Sequence, residues 1–220
     1  MHILVFGATG AIGLIFCQLA ITKGHRLTLF VRSPEKLPQE IYQHSHVQVL
    51  EGQLDDEASL EEAAACGATV FISFAGPSYG TKGTPLTDGY KAMVPKLAAH
   101  NFQRVIVLCT PSFRDVKDQV SLMWRFGGWF MRTFSPGQYW EMIGVGNFVS
   151  SLPTDSEMKW TLFRVGGLRD DVSWELPIVA EYLGGAKEKM WISRRSVALW
   201  AVGEISDSKW LGEAPYIYNS

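Results

Sequence analysis

The sequence predicts an α/β fold: a doubly wound, mainly parallel sheet with helices on both faces and a small C-terminal extension on the substrate side. Three observations predict it. Short apolar runs alternate with helical stretches through the first half of the chain, the pattern of a parallel sheet with right-handed crossovers. The first of these runs opens directly into a glycine-rich turn at Gly7. The chain has 220 residues, 47% of them hydrophobic, 12% aromatic and 19% charged. Such a composition excludes a disordered chain and predicts one large core, read as a single domain over residues 1–220.

Each element follows from local pattern. Ile3–Phe6 is apolar at every position, which suits a strand buried on both faces. Ile12, Ile15 and Leu19 recur at helical spacing across residues 11–23, and Gly24 supplies the stop. Leu27–Val31 and Val47–Leu50 read as the second and third strands. Asp55 or Asp56 caps a helix through Ala65 that is acidic in its first turn, as the helix dipole favours. Thr69–Phe74 is a fourth strand, Asp88–Asn101 a helix bent at Pro95, and Arg104–Leu108 a fifth strand. The second half is less regular, and the substrate-side elements are expected from residue 111 onward. There, residues 139–150 read as helical despite Gly144 and Gly146, and Trp160–Val165 as a strand. Ser193 caps a final helix through Ile205.

The turn Gly7-Ala8-Thr9-Gly10-Ala11-Ile12-Gly13 lies between a strand and a helix. In that context the first glycine permits the tight turn. The second lets backbone approach a pyrophosphate, and the third lets helix lie close on strand. The helix N-terminus then offers N–H groups and partial positive charge to phosphate. This is the fingerprint of a Rossmann dinucleotide site, the alternative being a tight turn in an empty domain. Arg32 stands 19 residues beyond Gly13, where an NAD site usually carries an acid for the ribose hydroxyls. A guanidinium there would accept a 2′-phosphate, with Lys36 adding charge, so NADP(H) is the expected cofactor. The alternative is an arginine on a solvated loop. At the ends of the fourth and fifth strands, the Ala75-Gly76 pair that follows Phe74 is small enough to let a cofactor ribose and adenine pass, and Thr110 and Ser112 are hydroxyls placed for a nicotinamide or substrate. A plain strand-end turn explains the two hydroxyls equally well.

G-A-T-G-x-x-G, then V-R-S-P-E-K, then Gly52-Gln53-Leu54-Asp55-Asp56 resembles the atypical short-chain dehydrogenase/reductases, and more narrowly their NmrA-like group. The later segments Trp160–Leu168 and Ile192–Ala198 resemble that group's W-T-x-x-R-P-G-x-L strand and I-S-R-x-D-V-A helix start. The resemblance implies NAD(P) binding through Gly7, Thr9, Gly10, Ala11, Ile12, Gly13, Arg32, Lys36, Gln53, Leu54, Phe74, Ala75, Gly76, Thr110, Arg164 and Val165. Three positions depart from it. Gln53 stands where the family often has an aspartate, Val165 replaces its proline and Ser196 its aspartate.

Members of the larger superfamily use Tyr-x-x-x-Lys as acid/base pair. None of the seven tyrosines here is followed by lysine at that spacing. Thr110, Ser112 and Tyr139 are the remaining candidates to hydrogen-bond a substrate, with water as proton source. Between residues 121 and 140, Leu122, Phe126, Phe130 and Phe134 recur every four residues, beside Trp124, Trp129 and Trp140. Core packing is the first expectation for such a stripe. A substrate pocket lined by Trp129, Phe130 and Tyr139 is the second. A homodimer contact or a membrane-surface patch flanked by Arg125 and Arg132 comes last.

Other classes are excluded or disfavoured. A net charge of −2 and pI near 6.2 give no nucleic-acid footprint. Three scattered cysteines give neither a disulfide framework nor a zinc pattern, and Cys109 reads as a buried residue rather than a nucleophile. His44-x-His46 lacks a third ligand nearby, so no metal is expected. No apolar run reaches the ~18 residues of a spanning helix, and the N-terminus lacks the features of a secretory leader, so the expected location is cytoplasmic. The expected function is NADPH-dependent reduction of a small apolar or aromatic compound. The alternatives are a non-catalytic NADP(H) sensor acting on a protein partner, or a cofactor-assisted isomerase.

Overall fold

The computed structural model describes residues 1–170, 176–185 and 188–220. In chain order the elements are β1 (His2–Phe6), α1 (Ala11–Thr22), β2 (Arg26–Val31), a 3-10 turn (Pro34–Lys36), α2 (Gln39–Tyr42), β3 (Val47–Glu51), α3 (Glu57–Ala64), β4 (Val70–Ser73), α4 (Pro85–Ala99) and β5 (Arg104–Cys109). They continue with α5 (Leu122–Phe134), α6 (Pro136–Ser150), β6 (Lys159–Val165), β7 (Gly167–Arg169), β8 (Ile178–Glu181), β9 (Trp191–Ser193), α7 (Arg194–Asp207) and β10 (Tyr216–Asn219).

Eight strands form the main sheet in the order β3-β2-β1-β4-β5-β6-β10-β8. All pairings are parallel except β10 with β8. The central register sets Val5 opposite Leu29 on one side and Ile72 on the other. The C-terminal extension takes the form of β10 and β8 at the sheet edge, with β7 and β9 as a separate parallel pair.

Continuous apolar strands make sense because both faces are covered. Ile3, Val5, Leu27 and Leu29 point into the layer that holds α1 and α7. Leu4, Phe6, Phe71 and Val105 point into the layer that holds α3, α4 and α6. Each fully buried side chain of this kind contributes roughly 1.5–3 kcal/mol. Two expected punctuation marks hold. Gly24 ends α1 with φ of 77°, its N–H and that of His25 returning to Ile21 and Ala20 carbonyls. Asp56 caps α3, accepting from the Ala58 N–H at 3.0 Å.

Some boundaries differ from expectation. The fourth helix starts at Pro85 rather than Asp88, proline occupying the first turn where its missing N–H costs nothing. The helix expected over 139–150 begins at Pro136 for the same reason. Residues 122–134 are helical, but their apolar stripe is not core: Leu122, Phe126 and Phe134 are exposed. The inward side of α5 is instead Trp124, packed edge-on to Tyr216 with ring centroids 5.2 Å apart. Among the described residues no helix is long and apolar enough to cross a membrane.

Candidate cofactor cleft

The sheet order reverses between β2-β1 and β4, and the turn after β1 sits at that switch point. Gly7 takes φ of 73°, and a Cβ on it would lie 2.6 Å from the Ala75 nitrogen and 2.7 Å from the Phe74 carbonyl carbon. The turn after β1 therefore presses directly on the end of β4. A Cβ at Gly13 would fall 2.2 Å from the Gly7 oxygen, so only glycine lets α1 approach this closely. Gly10 donates to the Gly7 carbonyl at 3.1 Å and forms the N-cap of α1 without any side-chain cap. The first turn of α1 carries no acidic residue, so its N–H groups and positive dipole end are left for an anion.

A cleft of about 730 Å³ opens at this point. Gly7, Thr9, Gly10, Arg32, Gln53, Leu54, Phe74, Ala75 and Gly76 line it, so nine of the sequence-predicted cofactor residues meet in one cavity. Phe30, Leu54 and Leu60 make an apolar wall toward β2 and α3. Arg32 stands at the exposed rim, and no hydrogen bond or ion pair among the described residues occupies its guanidinium. A dinucleotide fits this donor set: a turn without a side chain at its crest, open helix N–H groups, and a free cation a strand's width away.

The remaining predicted residues lie elsewhere. Ala11 is exposed in the first turn of α1, while Ile12 and Gly13 are buried beneath it. Lys36 is exposed in the 3-10 turn. Thr110 and Ser112 are half-buried in a tight turn at the end of β5, where Thr110 accepts from the Phe113 and Ser112 N–H groups. Neither hydroxyl lines the cleft.

Arg164 and Val165 are corrected by the structure. Val165 is buried in the sheet core. The Arg164 guanidinium is fully buried and donates to both Asp118 oxygens, at 2.5 and 2.8 Å, and to the Ala214 carbonyl at 2.6 Å. Its donors on these atoms are committed to fastening the loop after β5. Trp129 and Phe130 are corrected too. They are 57% and 47% exposed and do not line the cleft, because α5 packs through its Trp124 side. Tyr139 is half-buried against Trp140, with ring centroids 5.1 Å apart, and is likewise outside the lining.

Sequence reasoning missed Glu141. This carboxylate on α6 is fully buried at the cleft and accepts from the Leu86 N–H at 3.2 Å, the Thr87 N–H at 2.8 Å and the Thr87 hydroxyl at 2.6 Å. It caps α4 from another helix, where the side chain of Thr84 makes no cap. No local signal could have found it, because the partners are more than fifty residues apart. Nearby, the Ser73 hydroxyl and the Tyr90 phenol pair at 2.6 Å, tying the end of β4 to α4. Burial pushes the Tyr90 phenol up, so it is a strut and not an acid at neutral pH. The loop after β4 forms the outer wall. Gln138 of α6 donates to the Pro77 carbonyl at 3.1 Å, and a Cβ on Gly137 would strike the Thr81 oxygen.

Cys109 donates to the Met142 carbonyl at 3.3 Å, and burial pushes its thiol up to about 12, which removes it as a nucleophile. Among the described residues no three His, Cys, Asp or Glu side chains converge, and the His44 and His46 rings stand 5.4 Å apart at the surface.

The NAD(P)H-binding family matches residues 7–208 of this chain. Among solved structures, a short-chain dehydrogenase/reductase from Veillonella parvula in complex with NADP is similar. It has a TM-score of 0.77 and 18% identity, over 99% of this chain and 94% of that one. ChuY, an anaerobillin reductase from Escherichia coli O157:H7, gives 0.78 at 15% identity, over 100% and 97%. The oxidoreductase ylbE from Lactococcus lactis gives 0.76 at 17%, over 100% and 91%. At these identities the likeness is one of fold. The family match begins at the first glycine of the turn and ends just past α7, so the chain belongs to the NAD(P)H-binding family, with the fold of the short-chain dehydrogenase/reductase it resembles.

Proposed function

We propose that this chain is an NADPH-dependent oxidoreductase acting on a small apolar or aromatic compound. The observation that carries the reading is the switch-point cleft, in which an open glycine turn and the exposed Arg32 lie along one cavity. In this reading the N–H groups at Thr9 and the first turn of α1 hold the pyrophosphate, while the Gly10 N–H closes the turn onto Gly7. Arg32, with Lys36 four residues on, holds the 2′-phosphate as a charge-assisted pair. Gln53 and Leu54 border the adenine, and the absence of side-chain bulk at Ala75 and Gly76 admits the ribose.

The bound cofactor supplies a hydride. What the protein adds is position and exclusion of water. Without a Tyr-x-x-x-Lys pair, water is assigned the proton. Thr110, Ser112 and Tyr139 lie outside the cleft lining, so any hydrogen bond from them to substrate requires the substrate to extend beyond the cleft toward the end of β5 and α6. Glu141 fixes α6 to the start of α4, and Gln138 fixes it to the outer loop, so the wall of the cleft keeps its shape.

Calorimetry with NADPH and NADH tests the reading. The arginine–phosphate contact is worth about 1.5–3 kcal/mol, or roughly 10–100-fold in affinity. Arg32→Ala is expected to remove that preference for NADPH and to leave NADH binding unchanged. Equal affinity of the unmodified protein for the two cofactors would overturn it. NADPH that binds but is never oxidised against a quinone, enone and flavin panel would replace the reductase by an NADP(H)-sensing protein.

A further inference from the structure

We propose that α5 is a membrane-surface helix, which lays its aromatic face into the headgroup region of a bilayer containing anionic phospholipid. The inference stands independently of the reductase reading. It starts from a helix packed the wrong way round for a core element. Trp124 is its buried anchor, and Gly128, whose Cβ would meet the Tyr139 ring, leaves the side toward α6 thin. The opposite side carries Leu122, Phe126, Trp129, Phe130 and Phe134, between 47% and 77% exposed. Their spacing of four, three, one and four residues keeps them on one stripe. They also touch: Phe126 and Trp129 ring centroids are 5.6 Å apart, and those of Phe130 and Phe134 are 4.7 Å apart. A contiguous apolar patch of that kind marks an interaction site.

Charge selects the occupant. From residue 119 to residue 140 the only charged side chains are Arg125 and Arg132, in a chain whose net charge is −2. Both lie on the same flank of the stripe at 100° per residue, and the Arg132 guanidinium sits 5.6 Å from the Trp140 ring centroid. Aromatic residues on one face with arginines at its border are what interfacial insertion requires. A second copy of this chain meets that charge poorly. A two-fold contact sets the same patch against itself, and this stretch offers no carboxylate to pair with either arginine. An anionic bilayer supplies both apolar depth and negative charge. Thirteen residues reach only about 20 Å along a helix, short of the ~30 Å of a hydrocarbon core, so α5 lies in the membrane plane. It runs through Ser135 into α6, whose Glu141 lines the cleft. A docked chain therefore keeps its cofactor cleft within one helical hairpin of the bilayer.

The test is flotation of the full chain with vesicles of phosphatidylcholine alone or mixed with phosphatidylserine, beside light scattering in solution. Unmodified protein is expected to float with the mixed vesicles about thirtyfold more tightly than with the neutral ones, at about fivefold per arginine, and to be released by salt. Phe126→Glu with Phe134→Glu should weaken vesicle binding at least about tenfold, while circular dichroism and NADPH affinity stay unchanged. Arg125→Glu with Arg132→Glu should abolish the preference for phosphatidylserine. The proposal is overturned if the unmodified protein floats with neither vesicle, or if binding survives the phenylalanine substitutions. A dimer in solution that those substitutions dissolve, without vesicle binding, makes the face a contact between copies instead.

Discussion

The turn at Gly7–Gly13 and the loop at Thr110–Ser121 follow parallel strands of one sheet at the same end, and opposite means hold them in place. Backbone geometry holds the first: a left-handed glycine, a carbonyl–amide contact of 3.1 Å, and approaches too close for any Cβ. Side-chain polar groups hold the second. Asp118 accepts from Arg164, from the Leu183 N–H at 3.0 Å and from the Asp115 N–H at 2.8 Å. Ser121 donates to Glu188 at 2.5 Å, and Lys117 pairs with Glu213. A turn made of backbone leaves its N–H groups facing the cleft for a ligand. A loop made of side-chain pairs uses up its polar groups in making itself. That difference explains why Gly7, Thr9 and Gly10 of the turn line the cavity, while Arg164 does not.

The contrast is broken most severely by removing the buried cation. Arg164→Met leaves the Asp118 carboxylate, whose side chain is 4% exposed, without its partner. The expected loss is about 3–5 kcal/mol of unfolding free energy, with part of it restored when Asp118→Asn is added, which removes the buried charge and keeps an acceptor for the loop N–H groups. Denaturant titration measures both. NADPH affinity of the folded protein should be unchanged, because the pair is outside the cleft. A loss below about 1 kcal/mol would put the pair among weak surface bridges and remove the distinction.

The next effect is on binding alone. A Cβ at Gly10 meets only the Gly7 oxygen, at 3.3 Å, so Gly10→Val is accommodated with a small shift. Its methyl groups then occupy the pyrophosphate position, and NADPH affinity should fall on the order of 100-fold with little loss of stability. Calorimetry beside a melting curve separates the two. Gly13→Val, three residues further on, should instead fail to fold, since its Cβ overlaps Gly7 and Ala8 backbone. A Gly10→Val protein that binds NADPH normally would take the turn out of the site.

Legibility followed the same divide. β1 to β5 with α1, α3 and α4 were readable because their signals are local: apolar runs, helical spacing, Gly24 as stop, and the Asp56 cap. The Ser193 cap of α7, accepting from the Ser196 N–H at 2.9 Å, was readable in the same way, whereas the single-turn α2 was not. The short strands β7 to β10 were not, because each has only three or four residues and pairs across long stretches of chain. Asn219 shows why. Its side chain joins the Ser193 N–H, the Ser196 hydroxyl and the Pro177 carbonyl, three contacts with no shared sequence pattern. The periodicity of α5 was visible, but not its orientation. A stripe states that one face is apolar, and only the anchoring of Trp124 states that this face is wet.

The smallest expected effect tests whether the β1–β2 edge carries a proton-linked polar tie. His2 opens β1, and its Nε2 lies 2.8 Å from the Thr28 hydroxyl on β2. Burial holds the His2 pKa below its usual 6.5, and the nearby Arg26 charge pushes the same way. The folded state thus favours the neutral ring, and below about pH 6.5 the unfolded chain binds more protons than the folded one. The stability that His2 contributes is complete above pH 6.5 and is lost as pH falls through the lowered folded value. His25, lowered by burial and by the terminal ammonium, adds in the same sense. Unfolding free energy measured at neutral pH and at about pH 5 should therefore drop for the unmodified protein, and less for His2→Gln. The Gln side chain can keep a hydrogen bond to Thr28 but cannot titrate. If His2→Gln loses as much stability on acidification as the unmodified protein, the β1–β2 edge has no proton-linked tie and is held by backbone and apolar packing alone.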